Sequence, residues 1–265
     1  MPERRLDQAL AARGLARSRT QAARLIADGL VTVDGVGVVK ASTQVGDDQV
    51  LQVAGLDRYV SRAAHKLIAA FEVFPVSAAE RDCLDVGAST GGFTQVLLER
   101  GARSVVALDV GHDQLDPLIR HDERVTVIEG FNARELTAAS LQEAAGHPVD
   151  ATLVVADLSF ISLPLVLPAV VATVGTSADY LLLVKPQFEV GRTGIREGIV
   201  HDAGLRADAI SGVMWAAWDL GLPTAGLIPS PIVGTAGNKE YLLWLNAANG
   251  GNPTEWLDRV TDLSR

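Results

Sequence analysis

A single cysteine, Cys83, rules out any intramolecular disulfide. Its place in an apolar run marks it as an inert core residue of a reduced, cytoplasmic protein. The opening residues, Met1-Pro2-Glu3-Arg4-Arg5-Leu6-Asp7, lack the apolar stretch of a secretory signal, so export by that route is not expected. There is no G-x-G-x-x-G fingerprint and no G-x-x-x-x-G-K-[ST] loop, which removes the usual dinucleotide and nucleoside-triphosphate readings. No cluster of Cys and His offers a metal site, and no metal is expected. Internal repeats and low-complexity segments are also missing. Positive charge is scarce: the net charge of −9 argues against a wholly basic nucleic-acid binder. The deficit is uneven, however. Through Arg62 nine Lys and Arg face seven acids, a net of +2, and the rest of the chain carries −11.

Long apolar runs are nearly absent as well. The exception is the uncharged stretch over residues 158–178, about long enough to span a bilayer. Pro164 and Pro168 interrupt it, Asp157 precedes it, and Ser159, Ser162, Thr173, Thr176 and Ser177 punctuate it, so a buried strand followed by a loop and a core helix is expected instead. Stable membrane insertion is not.

What is present is enough for a sizeable core: 265 residues, 48% of them apolar, fit one large domain and one small one. Residues 4–13 carry Leu6, Ala9, Leu10 and Ala12 at helical spacing before Gly14, and Ser18 can cap a second helix whose apolar face runs through Ile26 to Gly29. Residues 30–39 read as two strands joined at Asp34-Gly35, a strong hairpin pair, and another strand follows Asp47-Asp48. This small α+β domain is assigned to residues 1–55, a linker to 56–60 and the larger domain to 61–265. After the linker, Ser61 can cap a helix through Phe71, with Ala64, Leu67, Ile68 and Phe71 at core-like spacing and Lys66 off that face.

From Arg81 strand and helix signals alternate. Strands are expected ending at Asp85 and at Asp109, over residues 125–128, 151–157 and 180–184, and near 225–229 and 241–245, with a long helix over 202–220. The order defines an α/β fold with a mainly parallel, doubly wound sheet. Its first strand runs into Leu84-Asp85-Val86-Gly87-Ala88-Ser89-Thr90-Gly91-Gly92-Phe93, a small-residue turn that can wrap a nucleotide-like ligand against a helix N-terminus. With the dinucleotide spacing absent, S-adenosylmethionine is the favoured ligand. Asp85 suits its amino group and Asp109 its ribose hydroxyls; Gly87, Ser89, Thr90, Gly91, Gly92 and Phe93 form the turn, and Asn132 and Asp157 rim the same sheet edge.

Asp157 and Lys185 each close an apolar strand, and Glu240 precedes another. With Lys66 they form a Lys-Asp-Lys-Glu set that resembles the catalytic tetrad of RNA ribose 2′-O-methyltransferases. The chemistry suits those residue types. A ribose hydroxyl is a poor nucleophile near neutral pH, and a partly buried lysine beside a second cation is biased towards the neutral amine that can take or orient its proton. The two carboxylates would hold the lysines in place.

The N-terminal segment resembles the RNA-binding domain named after the fourth protein of the small ribosomal subunit, on Arg5-Leu6-Asp7, Arg13-Gly14, Ala16-Arg17-Ser18-Arg19, Ala22 to Ile26 and the Gly29 to Gly35 stretch. Arg5-Leu6-Asp7 also matches a catalytic triplet of some pseudouridine synthases, but it lies in the small domain with no second copy, and that assignment is rejected. Together with Ser61-Arg62-Ala63-Ala64-His65-Lys66-Leu67, the glycine-rich turn, Ala156 to Leu163, Val184-Lys185-Pro186-Gln187-Phe188-Glu189 and Asn238-Lys239-Glu240-Tyr241, the chain is identified as similar to the TlyA family over nearly its whole length.

The resemblance implies a Rossmann-like class I S-adenosylmethionine-dependent domain of the FtsJ kind. It further implies 2′-O-methylation of cytidines in ribosomal RNA within ribosomal subunits, by a monomer, with an effect on susceptibility to capreomycin and viomycin. Lys66, Asp157, Lys185 and Glu240 fall on the family's catalytic positions, and Arg5, Arg17, Arg19, Lys40 and Arg192 on basic RNA-contacting ones. Phe160, close after Asp157, is placed either to stack on a flipped base or in the core. Two features depart from the family: Asp57-Arg58-Tyr59-Val60 stands where its mycobacterial form has Arg-Ala-Trp-Val, and Gly130 replaces a basic residue. Two rival functions stay open on the residues alone: a membrane-active haemolysin, a name also borne by the family, and an RNA-binding protein with an inactive cofactor fold.

Overall fold

The structure, a computed structural model, describes residues 4–16, 18–53, 58–191, 194–234 and 236–265. Arg17, Arg192 and the first two residues of the expected linker, 56 and 57, lie outside them. The chain divides into two compact units, Met1–Arg58 and Tyr59–Arg265. Tyr59 and Val60, expected in the linker, are buried in the second unit, where the Val60 N–H donates to Gln95 Oε1 at 2.8 Å.

The first unit runs β1 (Arg4–Arg5), α1 (Leu6–Ala12), α2 (Arg19–Ala27), β2 (Val31–Val33), β3 (Val36–Gly37), β4 (Gln44–Val45) and β5 (Leu51–Val53). Ser18 caps α2 as expected, its hydroxyl accepting from the Gln21 N–H. The hairpin turns at Asp34 and Gly35, both at positive φ (51° and 81°), the conformation a tight two-residue hairpin requires. Leu6, Leu10, Ile26 and Val31 are wholly buried in its core. The short pairing of β1 with β4 is new, because residues 4 and 5 read as the start of a helix.

The second unit runs α3 (Ala64–Val73), β6 (Asp82–Val86), α4 (Gly92–Glu99), β7 (Ser104–Leu108), α5 (Pro117–Arg120), β8 (Val125–Ile128), α6 (Ala138–Ala145), β9 (Leu153–Ala156), α7 (Leu167–Val174), β10 (Asp179–Val184), α8 (Pro186–Glu189), α9 (Ala203–Asp219), β11 (Thr224–Pro229), β12 (Tyr241–Leu245) and α10 (Leu257–Ser264). Its sheet has the order β11-β12-β10-β9-β6-β7-β8, all pairs parallel except those of β12, which runs against both neighbours. Successive side chains face opposite layers. Leu84, Val86, Val106 and Leu108 pack towards α6, α7 and α9, whereas Cys83, Val105 and Leu153 pack towards α3 and α4. A parallel sheet covered on both faces needs such apolar alternation on each side. The chain leaves β6 to one side through β7 and β8 and returns to its other side at β9, so the carboxyl ends of β6 and β9 flank a topological switch point, where ligands of such sheets bind.

Two local expectations change. The helix expected from Ser61 begins at Ala64; Ser61 instead forms the preceding turn, its carbonyl accepting from the Ala64 N–H at 3.1 Å. The uncharged stretch over residues 158–178 folds as a loop, a 3₁₀ turn (Leu163–Leu165) and the eight-residue α7. Among the described residues no helix is long and apolar enough to cross a membrane.

Candidate active site at the carboxyl edge of the sheet

The turn after β6 leaves the strand at Gly87, whose φ of +84° suits glycine. A Cβ there would lie 3.0 Å from Leu158 Cδ2 and 3.3 Å from the Asp157 carbonyl oxygen, so the β6 and β9 loops meet only because this residue has no side chain. Gly87→Ala is expected to cost about 1–3 kcal/mol of stability, measured by chemical denaturation. Ser89 is held at φ +48°, which turns its N–H onto Asp109 Oδ2 at 2.8 Å, while Asp109 Oδ1 accepts from the Gly111 N–H at 2.7 Å. The carboxylate that ends β7 thus organises the turn and lines a cavity of about 590 Å³ together with Gly87, Ser89, Val110, Phe131 and Asn132. Asn132 sits at its rim, its side-chain oxygen capping the 3₁₀ turn Ala133–Glu135 and its amide donating to Glu135.

The remaining turn residues divide. Thr90, Gly92 and Phe93 line a second cavity of about 530 Å³. Gly91 does not face it: a Cβ there would meet Leu115 and Ile119, so this glycine admits α5 packing. Gly92 also serves close packing, since its Cβ would lie 2.8 Å from that of Ser61. Phe93 is 3% exposed and mainly a core residue.

Asp85 is the polar exception within β6. It is fully buried, and its Oδ2 accepts from Thr94 Oγ1 at 2.6 Å, whereas Oδ1 has no partner among the described residues. Burial, opposed by the Thr94 hydrogen bond, pushes its carboxyl up to about 7. A buried oxygen lacking a donor beneath a glycine turn fits a ligand that brings a cationic amino group.

The second cavity brings Lys66, Asp157, Lys185 and Glu240 together from four different elements. Lys66 Nζ lies 2.6 Å from Glu240 Oε2 and 3.8 Å from Asp157 Oδ2, and Lys185 Nζ lies 2.6 Å from Asp157 Oδ1. All four are buried or nearly so: Lys66, Lys185 and Glu240 are 6%, 8% and 4% exposed, and the Asp157 side chain 13%. Burying such charges is tolerable only because they alternate in sign within contact distance. Lys66, off the apolar face of α3, is drawn inward by Glu240 rather than solvated. Lys185 also donates to Ser159 Oγ at 2.8 Å, a partner the sequence did not single out. The spacing of Ser159, two residues past Asp157 in the same loop, was its only signal. Gly87, Ser89, Asp157, Ser159 and Phe160 line both cavities, and the second has the glycine turn and the lysine pair in its own wall.

The expected RNA-contacting residues are placed unevenly. Arg5 and Arg19 are exposed at 42% and 58% of their side chains, yet both bind Asp7, at 3.0 and 3.2 Å. The Arg5 hydrogen bond, with Arg19, holds the Asp7 carboxyl below the usual carboxylate range. Lys40 is exposed, while Arg17 and Arg192 lie outside the described residues. Phe160 is 92% exposed at φ +65°, which removes the core alternative; its ring centre lies 5.3 Å from that of Phe188.

A doubly wound sheet with reversed β12, a glycine turn above Asp85 and a Lys-Asp-Lys-Glu cluster define an S-adenosylmethionine-dependent methyltransferase. The FtsJ-like methyltransferase model matches residues 59–247, and the S4 domain model residues 4–51. The chain is 52% identical over 244 residues to the 16S/23S rRNA (cytidine-2′-O)-methyltransferase TlyA of Mycobacterium tuberculosis, covering 91% of this chain and 89% of that one. It is 38% identical to Hemolysin A of Brachyspira hyodysenteriae over 90% and 98% of the two chains. A solved hemolysin-named structure from Streptococcus thermophilus superposes with a TM-score of 0.75 at 36% identity, over 100% of this chain and 96% of that one. The chain belongs to the TlyA family, an S4 domain joined to an FtsJ-like methyltransferase.

Proposed function

We propose that the protein methylates the ribose 2′-hydroxyl of cytidine in ribosomal RNA, using S-adenosylmethionine. The observation that carries this reading is the buried chain Glu240–Lys66–Asp157–Lys185 facing the same space as the glycine turn. Asp85, Asp109 and the turn would hold the cofactor, which supplies an electrophilic methyl when bound. Lys185 receives the target hydroxyl at Nζ and accepts or orients its proton; Asp157 fixes that amine from one side and Ser159 from the other. Lys66, clamped by Glu240, sets the position of Asp157. Both lysines are largely buried.

The S4 match supports RNA as the polymer, with phosphate contacts that position it without reading sequence. The name of the mycobacterial relative spans both subunits, and we extend that range to this chain, acting as a monomer in the cytoplasm, with loss of activity altering capreomycin and viomycin susceptibility. The uncharged stretch over residues 158–178, which the membrane-active reading drew on, folds as a loop, a 3₁₀ turn and a short helix. Incubating the full-length protein with methyl-labelled S-adenosylmethionine and unmodified ribosomal subunits is expected to label the RNA. Unlabelled RNA in both subunits would end this reading.

Phe160 supports a flipped target, because an exposed phenylalanine at the mouth of the site can stack on or replace an extruded base. Phe160→Ala is expected to slow transfer about 5- to 150-fold, the equivalent of one lost base stack. Its thermal midpoint should stay within a degree or two of the parent because the ring buries little surface. Rates from single-turnover assays and melting curves together check this.

A further inference from the structure

We infer that Gln187 reads the base of the target nucleotide, accepting a hydrogen bond from an exocyclic amino group and so favouring cytidine over uridine; this rests on the methyl-transfer reading above. Gln187 lies two residues past Lys185, in α8, and lines the cavity that holds the four charged residues. Its Oε1 is buried, and no described donor reaches it. The other inward-facing side-chain acceptors nearby are engaged. Glu240 and Asp157 hold the lysines, and Glu189 accepts from Ser162 Oγ at 2.6 Å and from the Leu163 N–H at 3.0 Å. A buried acceptor left without a donor is rare in native proteins and calls for an explanation.

The surroundings name the donor's class. Phe160 and Phe188 line the same cavity with ring centres 5.3 Å apart, offering aromatic faces to a planar ring. Extruded RNA bases are recognised in this way, stacked on aromatic side chains and hydrogen-bonded at their Watson–Crick edge. A nucleotide whose 2′-hydroxyl reaches Lys185 carries its own base into this cavity. Cytosine presents the N4 amino donor there, whereas uracil presents O4, a second acceptor opposite Oε1. A site built around a hydrogen bond rejects the analogue that cannot make it.

The test uses the full-length protein and ribosomal subunits carrying either C or U at the mapped modification site. Wild-type protein is expected to methylate C at least about tenfold faster than U. Gln187→Leu should lower the C rate about 10- to 100-fold and bring the C-to-U ratio close to one, while Gln187→Glu, which keeps an acceptor, should retain the preference. Should the leucine variant melt early, Gln187→Met carries the same expectation. An unchanged ratio in Gln187→Leu, or equal slowing of both substrates, overturns the assignment and leaves the methyl-transfer reading standing. Failure of wild-type protein to methylate either RNA overturns both.

Discussion

Lys185→Ala is expected to slow methyl transfer to ribosomal RNA roughly 10²- to 10⁴-fold, the range that a positioned proton acceptor supplies, and to lower the thermal midpoint while leaving the protein folded at the assay temperature. Asp157 loses its 2.6 Å partner and keeps only Lys66 at 3.8 Å. Lys66 is the more structural of the pair, because it is the 2.6 Å partner of the buried Glu240. Transfer rates at saturating cofactor, measured beside melting curves, check both effects. A folded variant that transfers methyl at the parent rate would remove Lys185 from the mechanism.

Asp85→Asn is expected to stabilise the cofactor-free protein at pH 8 and to weaken cofactor binding. An unfolded aspartate titrates near 4, whereas burial pushes Asp85 up to about 7. Between those values the folded state holds a proton that the unfolded state has released. Stability therefore falls as pH rises through that window and levels off above it. The gap corresponds to a few kcal/mol, on the order of 1.4 per unit. Asparagine keeps the shape and removes the charge, so the variant should melt above the parent at pH 8 and with it near pH 4. The same change removes a charge-assisted contact to the cofactor's amino group, a loss of about 10- to 100-fold in affinity. Melting across pH and calorimetric titration with S-adenosylmethionine read the two effects. Stability that rises between pH 4 and 7 in the parent alone would contradict the role given to burial.

Much of this was legible in the residues because three of the four clustered charged side chains sit at apolar strand ends. Asp157 after Leu153–Ala156, Lys185 after Asp179–Val184 and Glu240 before Tyr241–Leu245 stand where a covered parallel sheet leaves its carboxyl edge open. The hairpin at Asp34-Gly35 was equally plain, since few residue pairs accept two positive φ angles. Three features were not legible. The inward turn of Lys66 depends on Glu240, 174 residues away. Gly91 looks like a ligand-facing glycine but makes room for α5, and Gly92, which lines the cavity, also makes room for the turn at Ser61, a distinction only tertiary packing reveals. Two-residue strands such as β1 and β4 carry no periodicity from which to read them.

The most direct test of the whole account is to digest ribosomal RNA, after incubation with the protein and S-adenosylmethionine, to nucleosides and identify the methylated one by mass spectrometry. The buried lysine pair at the sheet edge predicts 2′-O-methylcytidine, absent when Lys185→Ala replaces the parent. A methyl group on a base carbon or nitrogen, with the ribose hydroxyls untouched, would contradict it.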